Sequence, residues 1–265
     1  MNENIKTKKS LGQHWLYDKD SLNAMLEAAN VGSTDTVLEV GPGLGTLTET
    51  LAQKANKVIA IEKDSDLISN LSDKFANAKN VEIINTDILT YNLGTIDKDY
   101  KVVANIPYYL TGKLIRNLIE STNPPVQMAL LVQKEVADRI IAAPKDMSML
   151  SFSVQYYFKA SIERVVSKEL FKPAPKVDSA IVGLTRLPKP MFEADINKLF
   201  RLVKFGFSQK RKTLRNSLSA GLKLEPVKIE NIIVATGINP NCRAQELNFD
   251  QWQSLYNTFI NQNIL

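Results

Sequence analysis

A short run of one amide, one proline and two aromatic rings, "NIPYY" (residues 105–109), directly follows a predicted buried strand over residues 100–105. The side-chain carbonyl of Asn105 can accept a hydrogen bond from an amine. Pro107 stiffens the backbone and has no N–H that would compete as a donor. Tyr108 can stack on a flipped base. Acceptors of this kind shift electron density onto an adenine amine, whose lone pair is otherwise delocalised into the ring. The run therefore predicts catalytic methylation of an adenine amine.

Two further groups are expected to complete the reacting end of the site. The main-chain carbonyl of Ile106 or of Pro107 offers the amine a second acceptor. Phe171, which precedes two prolines in "FKPAPKVDS", offers a second stacking ring held rigidly by its neighbours. Phe171 also fits a plainer interpretation, as an aromatic that anchors its loop to the core. The plainer interpretation of "NIPYY" is a turn after a strand, which explains the asparagine and the proline but not the tyrosines.

A glycine turn earlier in the chain, "TVLEVGPGLGTLTETL", has the order strand, turn, helix that is typical of nucleotide sites. Gly41 and Gly43 allow the backbone to approach a ligand closely. The run departs from the dinucleotide pattern G-x-G-x-x-G because residue 46 is threonine. Glu39 beside the turn would repel a pyrophosphate and would attract the ammonium group of a cofactor that carries an amino acid. The pattern therefore favours S-adenosylmethionine over NAD.

Two more acidic residues stand at the ends of the next two predicted strands. Glu62 comes 21 residues after Gly41, where a carboxylate can accept hydrogen bonds from both ribose hydroxyls. Asp87 ends the strand predicted over residues 81–87 and can accept a hydrogen bond from an adenine amine. In an open parallel sheet, ligands bind outside the carboxyl ends of the strands. An adenosine site is therefore predicted there, the alternative for each acid being a helix cap or a surface residue.

The count of histidine and cysteine excludes several other kinds of site. The chain has one cysteine, Cys242, and one histidine, His14. No internal disulfide, Cys/His metal site or two-histidine site can therefore form, and we expect no metal. A Ser-His-Asp triad would have to use His14, which lies in a basic N-terminal arm. No apolar run approaches the roughly 20 residues that a membrane-spanning helix needs, and the N-terminus has no apolar signal core. We therefore expect a cytoplasmic protein without a membrane partner.

Positive charge is concentrated in one part of the chain. The formal net charge is +5, with a pI of about 9.1. The basic segment, which we define as residues 196–224, has eight Lys and Arg residues and no Asp or Glu. Such a run predicts binding to a polyanion, the alternative being a solvated basic face. The residues predicted to bind RNA are Lys204, Lys210, Arg211, Lys212 and Arg215, and the arm adds Lys6, Lys8 and Lys9.

Alternating strand and helix patterns position these residues in an α/β fold. Short apolar runs predict strands at 36–40, 57–62, 81–87, 100–105 and 126–133, and a final strand follows at 177–186. Helical spacing between them predicts a parallel sheet covered on both faces. After "PKP" (188–190) the pattern turns helical, with Ile196, Leu199, Val203 and Phe207 on one face. We therefore predict an arm plus a cofactor-binding catalytic domain over 1–187, and a helical RNA-binding domain over 191–265.

Several motifs together resemble those of the ribosomal RNA adenine N6,N6-dimethyltransferase family. They are "SLGQHWL", "LEVGPGLGTLT", "NIPYY", "FKPAPKVDSA" and "FSQKRKTLRNSL", and the resemblance covers nearly the whole chain. It implies a Rossmann-like methyltransferase domain with a small all-α C-terminal domain. It also implies transfer of methyl groups from S-adenosylmethionine to adenosines of ribosomal RNA.

The resemblance assigns roles to individual residues. It implies that His14 and Leu16 contact the methionine end of the cofactor, although the family often has Asn at the position of His14. It implies further cofactor contacts at Gly41, Glu62, Asp87 and Asn105. Tyr108 and Phe171 match the rings that stack on the target base.

The family has two main bacterial branches, and this sequence is more similar to one of them. "KPAPKVDSA", "FSQKRKTLRNSL" and "NPNCRAQELNFDQW" resemble the branch that modifies two adjacent adenosines near the 3′ end of small-subunit (16S) rRNA. We therefore expect a monomeric enzyme that acts on small-subunit rRNA within an immature subunit. The alternatives are a large-subunit (23S) enzyme that confers macrolide resistance, a non-catalytic RNA-binding assembly factor, and a DNA adenine methyltransferase.

Overall fold

A computed structural model describes residues 14–265 of the chain, so the arm lysines Lys6, Lys8 and Lys9 lie outside the described residues. The described chain divides into two compact units. The first contains the residues up to Asp138 together with Phe158–Arg186. The second contains Arg139–Tyr157 and Leu187–Leu265.

The regular elements follow the order expected of an α/β unit joined to a helical unit. The strands are β1 (Trp15–Leu16), β2 (Thr36–Val40), β3 (Lys57–Glu62), β4 (Val81–Asn85), β5 (Lys101–Asn105), β6 (Gln127–Gln133), β7 (Phe158–Val166), β8 (Phe171–Lys172) and β9 (Ser179–Arg186). The helices are α1 (Lys19–Ala28), α2 (Thr46–Ala52), α3 (Ser65–Phe75), α4 (Thr111–Ile119), α5 (Lys134–Ile140), α6 (Met149–Gln155), α7 (Ile196–Phe207), α8 (Leu214–Leu222), α9 (Pro226–Ala235) and α10 (Phe249–Asn261).

The main sheet of the first unit has seven strands in the order β4-β3-β2-β5-β6-β9-β7. The strands from β2 to β6 are parallel, as predicted from the alternation of strands and helices. The last two strands differ from that expectation, because β9 runs antiparallel to both β6 and β7. The sheet is therefore mixed, with a parallel half that ends at the predicted site.

The parallel strands have the composition that a doubly covered sheet requires. Strand β3, with the sequence KVIAIE, is buried from its second residue onward, and β2 and β5 are similarly enclosed. β-branched side chains fit such strands well. The register sets Val40 of β2 opposite Ile61 of β3, and Glu62 opposite Asn85 of β4. The strand ends that carry the polar residues therefore meet at one edge of the sheet.

The second unit is all helical apart from short turns, and an aromatic core holds it together. Trp252 and Phe152 are fully buried there, with ring centroids 5.8 Å apart and planes at 70°. Phe152 comes from residues 139–157, which the sequence analysis had included in the catalytic domain. These residues belong to the helical unit because α6 buries its aromatic face in this core. Along residues 14–265, none of the helices combines the length and the apolar character needed to cross a membrane.

Candidate active site

A pocket opens at the carboxyl ends of β2, β3, β4 and β5 and collects most of the residues predicted from the sequence. These are His14, Gly41, Gly43, Glu62, Asp87, Asn105, Pro107 and Tyr108. Other walls come from Trp15, Val40, Ile61, Lys63, Thr86, Ile88, Ile106, Tyr109 and Leu110. Residues far apart in the sequence meet here because four parallel strands end side by side.

The glycine turn after β2 forms one wall of the pocket, and its first two glycines have different roles. Both have positive φ, +71° at Gly41 and +57° at Gly43. A Cβ at Gly41 would meet no atom within 4 Å, so it would project into open space. A Cβ at Gly43 would come within 3.1 Å of Trp15 Nε1. Gly41 therefore leaves room for a ligand against the backbone, and Gly43 makes room for the Trp15 ring.

Glu62 is held in the pocket by main-chain hydrogen bonds to both of its carboxylate oxygens. The Gly43 N–H donates to Oε2 over 3.2 Å, and the Asp64 N–H donates to Oε1 over 2.8 Å. Burial raises the pKa of Glu62, and these backbone hydrogen bonds oppose the rise. Each oxygen has a further lone pair for a ligand, so Glu62 is placed to accept hydrogen bonds from a diol.

Asp87 lies two residues beyond the end of β4 and is part of an ion pair at the pocket rim. Lys63 Nζ lies 2.8 Å from Asp87 Oδ2, and the Leu89 N–H donates to Oδ1 over 3.0 Å. The Lys63 ammonium lowers the pKa of Asp87 most, followed by the Leu89 N–H. Asp87 is therefore a charged acceptor at neutral pH, as an adenine amine would require.

Asn105, the last residue of β5, has its amide turned in a definite direction. Its Nδ2 donates to the His14 main-chain carbonyl over 3.0 Å. Among the described residues, Asn105 Oδ1 accepts no hydrogen bond, so this oxygen remains available to an incoming donor. The Pro107 carbonyl accepts a hydrogen bond from the Leu110 N–H over 2.9 Å. Of the two main-chain carbonyls considered from the sequence, that of Ile106 is the uncommitted one in the described structure.

Tyr108 is held at both ends of its side chain. Its hydroxyl lies 2.9 Å from Ser179 Oγ in a hydrogen bond, and its ring stacks on the His14 imidazole with centroids 5.7 Å apart and planes at 25°. Burial raises the pKa of Tyr108, so the phenol stays protonated at neutral pH. Tyr108 is thus a neutral, half-buried ring in the pocket wall, as a stacking role requires.

Two predicted site residues are turned away from the pocket, and both sit on the small antiparallel pair formed by β1 and β8. Leu16 and Phe171 pair with each other in register. Their exposed fractions are 2% and 3%, and both pack in the same core cluster as Leu22 and Met25. The structure therefore supports the plainer interpretation of Phe171 as a loop anchor, and it does not bring Leu16 to the predicted methionine end.

Glu39 is also set apart from the group of acids with which it was predicted to act. Its side chain is 1% exposed within β2, and burial raises its pKa to about 8. The Thr48 hydroxyl lies beside it and offsets this rise in part, although neither Glu39 Oε2 nor Thr48 Oγ1 completes a hydrogen bond of good geometry. A protonated, enclosed carboxyl does not attract an ammonium group, so Glu39 is a core residue in this structure.

The sequence analysis missed several apolar walls of the pocket. Trp15 lies next to the predicted Leu16, Ile61 precedes Glu62, and Ile88 follows Asp87. Each stands beside a polar residue that was singled out, and an adenine ring needs apolar faces as well as polar edges. The apolar walls could therefore have been predicted from their position next to residues already singled out.

The residues predicted to bind RNA lie in the second unit and differ in solvent exposure and in ion pairing. Lys210, Arg211 and Lys212 are exposed in the link between α7 and α8, and Lys204 is exposed in the last turn of α7. Arg215 is less free, because its Nη1 donates to Glu230 Oε2 over 2.7 Å. Four of the five predicted cations therefore extend into solvent.

The pocket residues fit S-adenosylmethionine by their chemistry. The open space beside Gly41 admits a ligand, Glu62 suits a ribose, and Asp87 with Ile61 and Ile88 suits an adenine. Within the described part of the chain, no three His, Cys, Asp or Glu side chains are grouped so that they could hold a metal ion.

Comparison with known proteins agrees with this geometry over nearly the full length. The profile of the ribosomal RNA adenine dimethylase family matches residues 4–261. Ribosomal RNA small subunit methyltransferase A of Dehalococcoides mccartyi (strain CBDB1) is 41% identical over 256 residues, covering 95% of this chain and 88% of the relative. The protein of that name from Alkaliphilus oremlandii is 39% identical over 263 residues, covering 96% and 92%.

Solved structures confirm the fold class. A dimethyladenosine transferase from Plasmodium falciparum superposes with a TM-score of 0.80 at 28% identity, covering 94% of this chain and 98% of that one. The 23S rRNA methyltransferase ErmE superposes with a TM-score of 0.74 at 27% identity, covering 92% and 98%. The predicted Rossmann-like methyltransferase fold with a helical C-terminal part is therefore confirmed.

Proposed function

The chain belongs to the ribosomal RNA adenine dimethylase family, and from that premise we propose that it dimethylates two adjacent adenosines in a hairpin near the 3′ end of small-subunit (16S) rRNA. The donor is S-adenosylmethionine and the product is N6,N6-dimethyladenosine. Relatives at 38–41% identity are small-subunit methyltransferases, whereas ErmE, which acts on 23S rRNA, is 27% identical. The observation that carries the assignment is the Asn105 side-chain carbonyl, which belongs to a residue lining the pocket and accepts no hydrogen bond among the described residues.

The donor side of the pocket would hold S-adenosylmethionine through its backbone turn and two acids. Glu62 accepts the ribose hydroxyls, and Asp87 accepts the adenine amine of the donor. The glycine turn at Gly41 and Gly43 lies along the ligand, and the His14 segment closes the methionine end. When bound, the donor supplies a methyl group on a positively charged sulfur, which makes that methyl electrophilic. The contribution of the protein is alignment and electrostatics.

The acceptor side would hold the target adenine by two oxygens and one ring. Asn105 Oδ1 and the Ile106 carbonyl accept hydrogen bonds from the exocyclic amine, which raises electron density on the nitrogen as it attacks. Pro107 fixes the turn that places them. Tyr108 stacks on the base and sets its plane. A second transfer requires that the pocket accept a monomethylated amine beside Asn105.

The RNA would be held mainly by charge on the helical unit. Lys204, Lys210, Arg211 and Lys212 are exposed and have the sign needed for phosphates, with Arg215 beside them. We propose that the substrate is rRNA within an immature small subunit, that the enzyme acts as a monomer, and that it works in the cytoplasm, where subunits are assembled.

Labelled S-adenosylmethionine tests the assignment. Purified protein is offered immature small subunits, naked large-subunit rRNA and adenine-containing DNA in separate reactions. The proposal expects label in dimethyladenosine of the small-subunit rRNA alone. Label only in large-subunit rRNA, or only in DNA, would overturn it in favour of those substrates. Calorimetry with S-adenosylmethionine covers the remaining alternative, since failure to bind the donor would favour a non-catalytic RNA-binding assembly factor.

A further inference from the structure

His14 connects three separate segments around the reacting end of the pocket. Its imidazole stacks on Tyr108 at 5.7 Å between ring centroids, with the planes at 25°. Its Nδ1 donates to the Pro173 carbonyl over 2.8 Å. Its own main-chain carbonyl accepts the hydrogen bond from Asn105 Nδ2 over 3.0 Å. One residue thus contacts both "NIPYY" side chains that were assigned to the target base.

The contact with the Pro173 carbonyl fixes the imidazole rather than leaving it to rotate. A carbonyl oxygen only accepts, so Nδ1 carries the hydrogen of this bond. The backbone of the same segment is also held, because Trp15 pairs with Lys172 across the two-stranded sheet. The imidazole is therefore anchored by elements that do not belong to the "NIPYY" turn.

The Tyr108 ring is held at two points. Its hydroxyl is bonded to Ser179 Oγ at 2.9 Å, and one ring face is covered by His14. A ring held at its tip and on one face keeps the other face for a second planar group. Preorganisation of this kind lowers the cost of binding, since less side-chain motion is lost when the partner arrives.

We propose that the His14 side chain is a positioning residue for Tyr108, which it backs so that the free face of the tyrosine is ready to stack on the target adenine. The proposal rests on the function proposed above. It gives His14 a role beyond the expected contact with the cofactor. It also gives that role to the imidazole ring, which the asparagine common at this position in the family lacks.

Three substitutions separate the ring from the rest of the residue. His14→Phe keeps an aromatic ring but cannot bond Pro173, whereas His14→Asn and His14→Ala remove the ring. All three keep the main-chain carbonyl that orients Asn105. Thermal unfolding by circular dichroism checks that each variant is folded.

Two readouts distinguish stacking from cofactor binding. The first is the rate of methyl transfer to immature small subunits at saturating S-adenosylmethionine. The second is the fluorescence of an RNA hairpin that carries 2-aminopurine at the target position, since stacking quenches this base. We expect His14→Asn and His14→Ala to lower kcat about 2- to 12-fold, the range for loss of one aromatic pair, and to weaken the quenching. We expect His14→Phe to recover at least half of both.

The outcomes that overturn the inference differ from those that overturn the function. If His14→Phe is as impaired as His14→Ala, the ring stack is not what matters. If the whole loss appears as weaker S-adenosylmethionine binding by calorimetry, His14 is a cofactor contact only. If wild-type protein methylates the subunit and all three variants match it, His14 has no positioning role. Absence of methylation by the wild type would instead overturn the proposed function.

Discussion

The amide of Asn105 donates to the main-chain carbonyl of His14 over 3.0 Å, and this bond decides which way the amide faces. Only the NH₂ group can donate to a carbonyl, so the side-chain oxygen must point the other way. Asn105 lines the pocket in which an amine donor would arrive. The strand β5 sets the position of Asn105, and the residue just before β1 sets its direction.

Removing the Asn105 amide is expected to slow methyl transfer strongly without weakening RNA binding. Asn105→Ala should lower kcat about 100- to 1000-fold, the range for loss of one oriented group that acts in the transition state. RNA binding, measured by filter retention, should stay within a factor of two of wild type. Asn92→Ala is the matched control, since Asn92 only caps an exposed turn of the same unit. Turnover by Asn105→Ala at the wild-type rate would refute the assigned role.

Loss of the Glu62 charge is expected to weaken the binding of S-adenosylmethionine and to leave RNA binding unchanged. Glu62→Gln removes a charged acceptor, so the Kd for S-adenosylmethionine should rise about 10- to 150-fold. Glu82→Gln on the neighbouring strand β4 is the control, because Glu82 is half exposed and pairs with Lys57. Calorimetry measures both, and equal affinities for the two variants would contradict the ribose assignment.

The same residue predicts a dependence of donor affinity on pH. Burial raises the pKa of Glu62 above its usual 4.5. The ionised form binds the donor, so affinity should be lost as pH falls through this raised pKa, before an exposed glutamate would titrate. Calorimetry at a series of pH values from 8 down to 4 checks this, with Glu62→Gln showing the smaller change. A wild-type affinity that is constant over this range would contradict the prediction.

Glu39 predicts a pH effect on stability instead of binding. Its pKa is raised from 4.5 to about 8, so between these values the folded protein binds more protons than the unfolded chain. The free energy of unfolding should therefore fall as pH rises through this window. Glu39→Gln has no such titration, and its stability relative to wild type should rise by at most about 4 kcal/mol between pH 4.5 and pH 8.

Urea unfolding at a series of pH values measures this difference. Thr48→Val is a useful companion, since it removes the hydroxyl that offsets the burial of Glu39. It should raise the pKa of Glu39 further, so the loss of stability should continue to a higher pH than in the wild type. A difference between wild type and Glu39→Gln that is independent of pH would mean that Glu39 stays ionised in the fold.

The exposed cations between α7 and α8 predict a salt-dependent contact with RNA. Replacing Lys210, Arg211 and Lys212 together by Ala should reduce the slope of log affinity against log salt by about 2 to 3. The control removes the same charge from the first unit, at the exposed residues Lys54, Lys79 and Lys98. An equal slope for the two triple variants would mean that the cluster is only a solvated face.

Local patterns were enough to predict the parallel half of the sheet and the residues at its edge. Runs of branched residues predicted β2, β3 and β5. The glycine turn and the acids could be assigned to the site because they stand at the ends of predicted strands. β7 was not predicted, because a bulge between Ile162 and Arg164 interrupts its alternation. Its antiparallel pairing with β9 depends on contacts between distant segments.

Whether an individual side chain faces the pocket or the core could not be predicted from the sequence. Leu16 and Trp15 are neighbours, and only their pairing with β8 decides that Trp15 faces the pocket. Glu39 stands beside the glycine turn, yet its side chain is enclosed within the sheet. The placement of 139–157 in the helical unit likewise depends on a distant aromatic core.

The most direct test is mass spectrometry of nucleosides from small-subunit rRNA of cells that lack this protein, complemented with wild type or with Asn105→Ala. The account predicts that dimethyladenosine is absent from the deletion strain, returns with the wild-type protein and stays absent with Asn105→Ala. Dimethyladenosine that persists in the deletion strain, or that returns with Asn105→Ala, would contradict it.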